Sequence, residues 1–371
     1  MKTEISVMFN FKTHSMKTKL LLFASIILFF NCAEKTEKSG KTEASESTES
    51  SSYFDYSNSE DQLTGGINMI PIETPKGTFN VYTKRMGNSP TKRVLLLHGG
   101  PGATHEVFDN FDGYLPNEEI EYIYYDQMDS YYSDKTNDPS LWTTERFVEE
   151  VEQVRKALNL DKDNFYLLGQ SWGGILAMEY ALKYQDNLKG LIVSNMVASV
   201  PEYNKYAQEV LGPQLPEDIL NEIKMIESEK DYANPKYEEL LKKHFYTEHF
   251  LRLPLDKWPK SIMLAFQHLN PDIYIYMQGP SEFGITDEAT LSDWDISERL
   301  KEIKVPTLML GAKHDTMDPK YMEWMATEVQ NGRSVTTNGS HCSQFDDPES
   351  YFSGLITFIK DVDSGKFIKT K

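Results

Sequence analysis

Gly169-Gln170-Ser171-Trp172-Gly173-Gly174 constrains the fold of this chain more than any other stretch. Before it lies Phe165-Tyr166-Leu167-Leu168, short, aromatic and aliphatic, the composition of a buried strand. After it, Ile175, Leu176, Met178, Ala181 and Leu182 recur at helical spacing. Ser171 therefore stands on a sharp strand-to-helix turn, held exposed, with glycines wherever a Cβ would clash. Gly-x-Ser-x-Gly by itself arises by chance; the strand and helix around it give it meaning.

A second motif lies upstream. Val94-Leu95-Leu96-Leu97 reads as a fully buried strand ending in His98-Gly99-Gly100-Pro101-Gly102. Such glycines let the backbone approach a substrate carbonyl, and Pro101 stiffens the loop. Together the two motifs describe the α/β-hydrolase fold, a mostly parallel central sheet with helices on both faces. In that fold a loop after an early strand supplies one oxyanion N–H, here Gly100, and the residue after the nucleophile, Trp172, supplies the other.

The partners of Ser171 are expected in the order acid, then histidine. The strand 306–310 ends in Gly311-Ala312-Lys313-His314-Asp315, which puts a carboxylate at the carboxyl edge of the sheet. The strand 333–337 is followed by Asn338-Gly339-Ser340-His341, and a helix bearing Phe352, Leu355, Ile356 and Ile359 on one face closes the chain. Asp318, Asp346 and Asp347 are rival acids; Asp315 leads as the first acid after its strand. Among eight histidines, His14 falls in the leader, and His244, His249 and His268 sit in helical, polar sequence. His98 belongs to the glycine loop, where a structural hydrogen bond is expected, and His314 precedes the acid on the same loop. His341, in the loop after the last strand and after the acid in chain order, is the expected base. No His-x-x-Glu-His or Cys/His spacing appears, so neither a metal nor a cofactor is expected.

With these segments in place the chain resembles the proline iminopeptidase (prolyl aminopeptidase) family, and most closely its tricorn-interacting branch. The matching segments are His98-Gly99-Gly100-Pro101-Gly102, Tyr125-Asp126-Gln127, the Ser171 turn, Gly279-Pro280-Ser281-Glu282-Phe283, Leu291-Ser292-Asp293-Trp294-Asp295, and the Asp315 and His341 loops, in order from about residue 65 to the end. The resemblance implies a serine exopeptidase that releases an N-terminal residue, typically proline, from short peptides. It implies two glutamates on the substrate amine. Glu282 matches the first; the second position is Thr316, uncharged, leaving Asp318 or Glu202 as substitutes.

Length supports this organisation. Of 371 residues, residues 63–196 and 291–371 are expected to form the hydrolase core and 197–290 an inserted helical cap, with helical patterns at 216–226 and 235–249. Tyr274, Tyr276 and Phe283 read first as cap core, with a proline-sized pocket as their other possible role. Residues 20–30 are an apolar run behind Lys17 and Lys19, too short to span a bilayer and suited to a signal peptide over 1–31. Cys32 follows, then a Glu-, Lys-, Ser- and Thr-rich stretch that cannot fold, a tether over 32–62. That order resembles a bacterial lipoprotein acylated on Cys32 and held at the membrane of the cell envelope. Met16 is an alternative start, since the basic segment begins there.

Removing the leader takes four lysines and one glutamate, moving the net charge from −19 to about −22. So acidic a chain repels nucleic acid. With Cys32 lipidated, Cys342 is the remaining thiol, a small buried residue rather than a nucleophile. Two other readings stand beside the aminopeptidase: another activity on the same scaffold (esterase, lactonase or amidase), favoured slightly by Thr316, and a silent tethered binding protein, opposed by the complete Ser171, Asp315 and His341 set.

Overall fold

The computed structural model describes Tyr53 and residues 66–369. The chain divides into two units, Met1–Ser50 and Ser51–Lys371. The first lies outside the described residues, as do the expected signal peptide, Cys32 and nearly all of the tether.

One eight-stranded sheet runs through the second unit, in the order β1-β2-β4-β3-β5-β6-β7-β8. The strands are β1 (Ile67–Thr74), β2 (Gly77–Met86), β3 (Arg93–Leu97), β4 (Glu121–Asp126), β5 (Phe165–Gln170), β6 (Gly190–Ser194), β7 (Thr307–Ala312) and β8 (Gly332–Thr337). Strands β3 to β8 pair in parallel, and the β1–β2 hairpin joins antiparallel along β4. No sequence motif announced that hairpin. Its outer strand carries Pro71, which suits an edge where no ladder donor is needed. Ile70 and Ile72 turn into the core while Met69 faces solvent.

The pleat of β3 sends Leu95 and Leu97 to one face and Val94 and Leu96 to the other. The first face packs against α1 (Thr144–Ala157), α2 (Trp172–Tyr184) and α8 (Pro319–Glu328); the second packs against α10 (Pro348–Asp363). Both faces are covered, so β3, β5, β6 and β7 read as continuous apolar runs. A sheet wound this way presents the carboxyl ends of its parallel strands along one edge, and every site loop lies there.

Between β6 and β7 the chain leaves the sheet for α3 (Val200–Tyr206), α4 (Glu217–Glu229), α5 (Pro235–Leu241), α6 (Lys260–His268) and α7 (Pro271–Met277). Two π-helical segments, Ala207–Leu211 and Lys242–Phe250, interrupt them. These elements own a core of Ile223, Tyr237, Phe245, Trp258, Ile262 and Phe283, and Cys342 from the loop after β8 packs into it. The helix α9 (Ser343–Asp346) follows that loop directly.

Candidate active site

The turn after β5 holds Ser171 at φ 55°, ψ −129°, a strained backbone for any residue with a side chain. The turn closes only because two neighbours lack one. A Cβ on Gly169 would lie 1.9 Å from the carbonyl oxygen of Gly173, and a Cβ on Gly173 would lie 2.1 Å from that of Leu97. Although Ser171 precedes α2, its hydroxyl does not cap the helix. The side chain faces a cavity instead, beside Gly99 and Gly100. Trp172 opens α2, so its N–H belongs to the first turn, where helical amides have no partner within the helix.

Strand β7 delivers Asp315 and the loop after β8 delivers His341. The structure brings them together: His341 Nδ1 lies 2.7 Å from Asp315 Oδ1, both side chains buried. A carboxylate only accepts, so Nδ1 carries the proton and Nε2 is left as the basic nitrogen. Burial lowers the basicity of this ring, but the Asp315 charge and hydrogen bond, with a further contribution from Glu282, outweigh it and raise the pKa above the ordinary histidine value. The base is further fixed through its backbone. The cap's π-helical segment accepts the His341 N–H on the His249 carbonyl at 3.0 Å, and Gln170 Nε2 donates to the His341 carbonyl at 3.1 Å.

Two residues complete this pair: Asn195, which sequence reasoning missed, and Thr316, which it had placed in the amine site. Asn195 Nδ2 donates to Asp315 Oδ2 at 2.7 Å, and the Thr316 hydroxyl donates to Asp315 Oδ1 at 3.3 Å. Asn195 sits one residue past β6, on the same carboxyl edge of the sheet as Asp315, but the search for an acid passed over it. Thr316 is fully buried in this network rather than facing an open cavity.

The cavity holding Ser171 and His341 has a volume of about 590 Å³ and runs beneath α5, α6 and α7, within the range of small-molecule sites. Tyr246, Phe250, Ile262 and Phe266 form its apolar wall, and Glu282 lines it too. Glu282 is 8% exposed. Tyr274 donates to its Oε1 at 2.7 Å, Tyr203 donates to its carbonyl at 2.7 Å, and its own N–H donates to the Tyr246 hydroxyl at 3.2 Å. Burial pushes the Tyr274 phenol far up, so it stays a neutral donor. Oε2 of Glu282 is buried with no hydrogen-bond partner. A buried carboxylate oxygen without a partner is costly, and a ligand cation would satisfy it.

The expected substitutes for a second acid are not in this cavity. Glu202 and Asp318 line a separate hollow of about 120 Å³ with Lys205 and Tyr206, and Glu202 pairs with Lys205 at 3.5 Å. Glu202 stands on α3 and Asp318 caps α8, and neither lines the cavity that holds Ser171. The other acid on the cavity wall is Glu238, solvent-exposed and paired with Lys242. Of the cap aromatics, Tyr274 lines the cavity, Phe283 packs edge-on to Phe245, and Tyr276 is largely exposed against Trp142. Cys342 is buried, and burial raises its thiol pKa, so it carries no thiolate. Among the described residues, no group of three or more His, Cys, Asp or Glu is placed to hold a metal ion.

A serine on a strained strand-to-helix turn, with a buried Asp–His pair beyond two later strands of the same parallel sheet, defines a hydrolase of the α/β class. The alpha/beta hydrolase fold profile matches residues 92–348. A proline iminopeptidase of Flavobacterium johnsoniae is 56% identical over 80% of this chain and 99% of its own length. One from Elizabethkingia meningoseptica is 55% identical over 81% of this chain and all of its own. In structure the chain is similar to the proline iminopeptidase of Mycobacterium smegmatis, with a TM-score of 0.71 and 26% identity over 80% of this chain and 99% of that one. The chain belongs to the proline iminopeptidase family.

Proposed function

We infer that this protein is a serine aminopeptidase that releases the N-terminal residue, preferentially proline, from short peptides. Family membership supports the reaction class. The single observation that carries the specificity is the unpartnered Oε2 of Glu282 in the cavity that also holds Ser171 and His341. An aminopeptidase must hold a free ammonium at a fixed distance from its nucleophile, whereas an esterase on the same fold needs no such anion.

Ser171 attacks the scissile carbonyl while His341 Nε2 takes its proton, and Asp315 holds the tautomer and stabilises the imidazolium. The N–H groups of Gly100 and Trp172 face the developing oxyanion, each contributing about 2.7–4 kcal/mol to the barrier reduction. Collapse breaks the C–N bond, and the proton on His341 passes to the leaving amine. Water, deprotonated by His341, then releases the acyl group from Ser171 as the free amino acid. The cap limits entry to short chains, and the apolar wall suits a pyrrolidine ring.

The test compares kcat/KM on a prolyl amide reporter with a free imino terminus, the same reporter acetylated at nitrogen, and a short-chain ester. Strong preference for the free terminus is expected. Activity on the ester alone, or on both amides alike, would overturn the aminopeptidase reading. The N-terminal sequence supports a second element of this proposal: Cys32 is acylated and tethers the enzyme to a membrane of the cell envelope. Replacing Cys32 by alanine is expected to move the protein from the membrane to the soluble fraction, and an unchanged distribution would remove the anchor.

A further inference from the structure

We propose that Gln127 is a positioning residue that sets the spacing between the two halves of the oxyanion hole. This rests on the reading above that Gly100 and Trp172 supply its donors. The Tyr125-Asp126-Gln127 segment stands out in the sequence, yet neither the Asp–His pair nor the amine site uses Gln127.

Gln127 lies just past β4 and is 1% exposed. In the sheet β3 has β4 on one side and β5 on the other, so a side chain from the end of β4 can reach both the loop after β3 and the turn after β5. It does so with both ends of its amide. Oε1 accepts from the Trp172 indole Nε1 at 2.8 Å, and Nε2 donates to the His98 carbonyl at 3.1 Å. The amide has one orientation here, because an indole N–H can only donate and a carbonyl can only accept. The Gln127 backbone N–H donates to His98 Nε2 at 3.1 Å. That leaves the ring proton on Nδ1, which donates to the Gly99 carbonyl at 2.8 Å. Burial lowers the His98 pKa and keeps the ring neutral in this tautomer.

One residue therefore connects the His98–Gly99 peptide, at the inner end of the Gly100 loop, to the side chain of Trp172. The connection matters because Gly99, Gly100 and Gly102 leave the loop little intrinsic preference for a single conformation, while donors must sit within about 0.5 Å of their productive positions. The outer end of the loop is held separately, by the Asn270 N–H on the Gly102 carbonyl at 2.9 Å. Gln127 is what ties the inner end to the nucleophile's own helix.

The test is Gln127→Met, which keeps length and removes both side-chain hydrogen bonds. On the free-imino prolyl amide, kcat is expected to fall about 10- to 100-fold, short of the full loss of a donor, with KM changed by less than about twofold, since the hole acts on the transition state. A prolyl boronic acid, which forms a tetrahedral adduct on Ser171, is expected to lose affinity by the same factor. Pyrrolidine, which occupies the amine end without a carbonyl, is expected to bind unchanged. Trp172→Phe, which keeps the backbone N–H and removes the indole donor, is expected to lower kcat through the same link, and the double variant to fall no further than Gln127→Met. If Gln127→Met fails to fold, Trp172→Phe with the boronic acid carries the test alone. Weaker pyrrolidine binding, a loss confined to KM, or full additivity would overturn the proposal. Those results would leave the Ser171 reading intact, whereas retained activity in Ser171→Ala would remove that reading itself.

Discussion

Ser171→Ala is expected to lower kcat on the prolyl amide by about 10⁶-fold, the loss typical when a serine hydrolase is deprived of its nucleophile. The fold gives no reason for the variant to unfold. Alanine keeps the Cβ against which Gly99 packs, and it carries no more strain at φ 55° than serine does. The lost hydroxyl makes no helix cap, so the melting temperature is expected to stay within the shift that about 0.5 kcal/mol produces, the scale of a substitution that breaks no cap, packing or network. Substrate binding survives as well, because Glu282 and the aromatic wall are untouched. The measurement is single-turnover hydrolysis beside a thermal melt and equilibrium binding of a prolyl dipeptide. A folded, binding-competent variant that still turns over at the wild-type rate would overturn the nucleophile assignment.

That Ser171, Asp315 and His341 could be proposed from sequence as one site follows from the regularity of the sheet. Each lies on a loop at the carboxyl end of a parallel strand, and apolar runs such as 165–168 and 306–310 mark those strands without help from the tertiary structure. Asn195 obeys the same rule after β6, but its value lies in the bond to Asp315 across 120 residues of chain, which no local pattern carries. Thr316 shows the opposite case. The family resemblance set it where a second amine-binding acid would stand, while its hydroxyl is committed to the Asp–His pair.

The cap was legible as helices and not as a wall. The helical patterns at 216–226 and 235–249 cover α4, α5 and most of the π-helical segment, but nothing in them marks the π geometry that carries Tyr246 and brings the His249 carbonyl to His341. The surroundings of Glu282 were hidden for a related reason. Tyr203, Tyr246 and Tyr274 come from α3, the π-helical segment and α7, elements brought together only by the packing of the cap. The β1–β2 hairpin escaped because it carries no chemistry and its Pro71 weakens the strand pattern.

Glu282→Gln is expected to reduce kcat/KM on substrates with a free N-terminal amine by about 10²- to 10³-fold, the cost of leaving a buried cation without its anion. Glutamine is close to isosteric and still accepts the Tyr274 hydrogen bond through its oxygen, so the cavity keeps its shape. What changes is the other position, where an N–H₂ now meets the substrate ammonium in place of the unpartnered Oε2. Among the described residues no other acid lines this cavity unpaired. Glu238 is exposed and already paired, while Glu202 and Asp318 line another hollow. A neutral ester of similar size uses Ser171 and His341 but not the amine contact, and its plateau kcat/KM is expected to stay within about threefold of wild type. The ester also reports on the base. Because the Glu282 charge helps to raise the His341 pKa, removing it lowers that pKa, and the acid limb of the ester profile moves to lower pH. Glu282 acting only as a structural prop would give equal losses on amine and ester substrates.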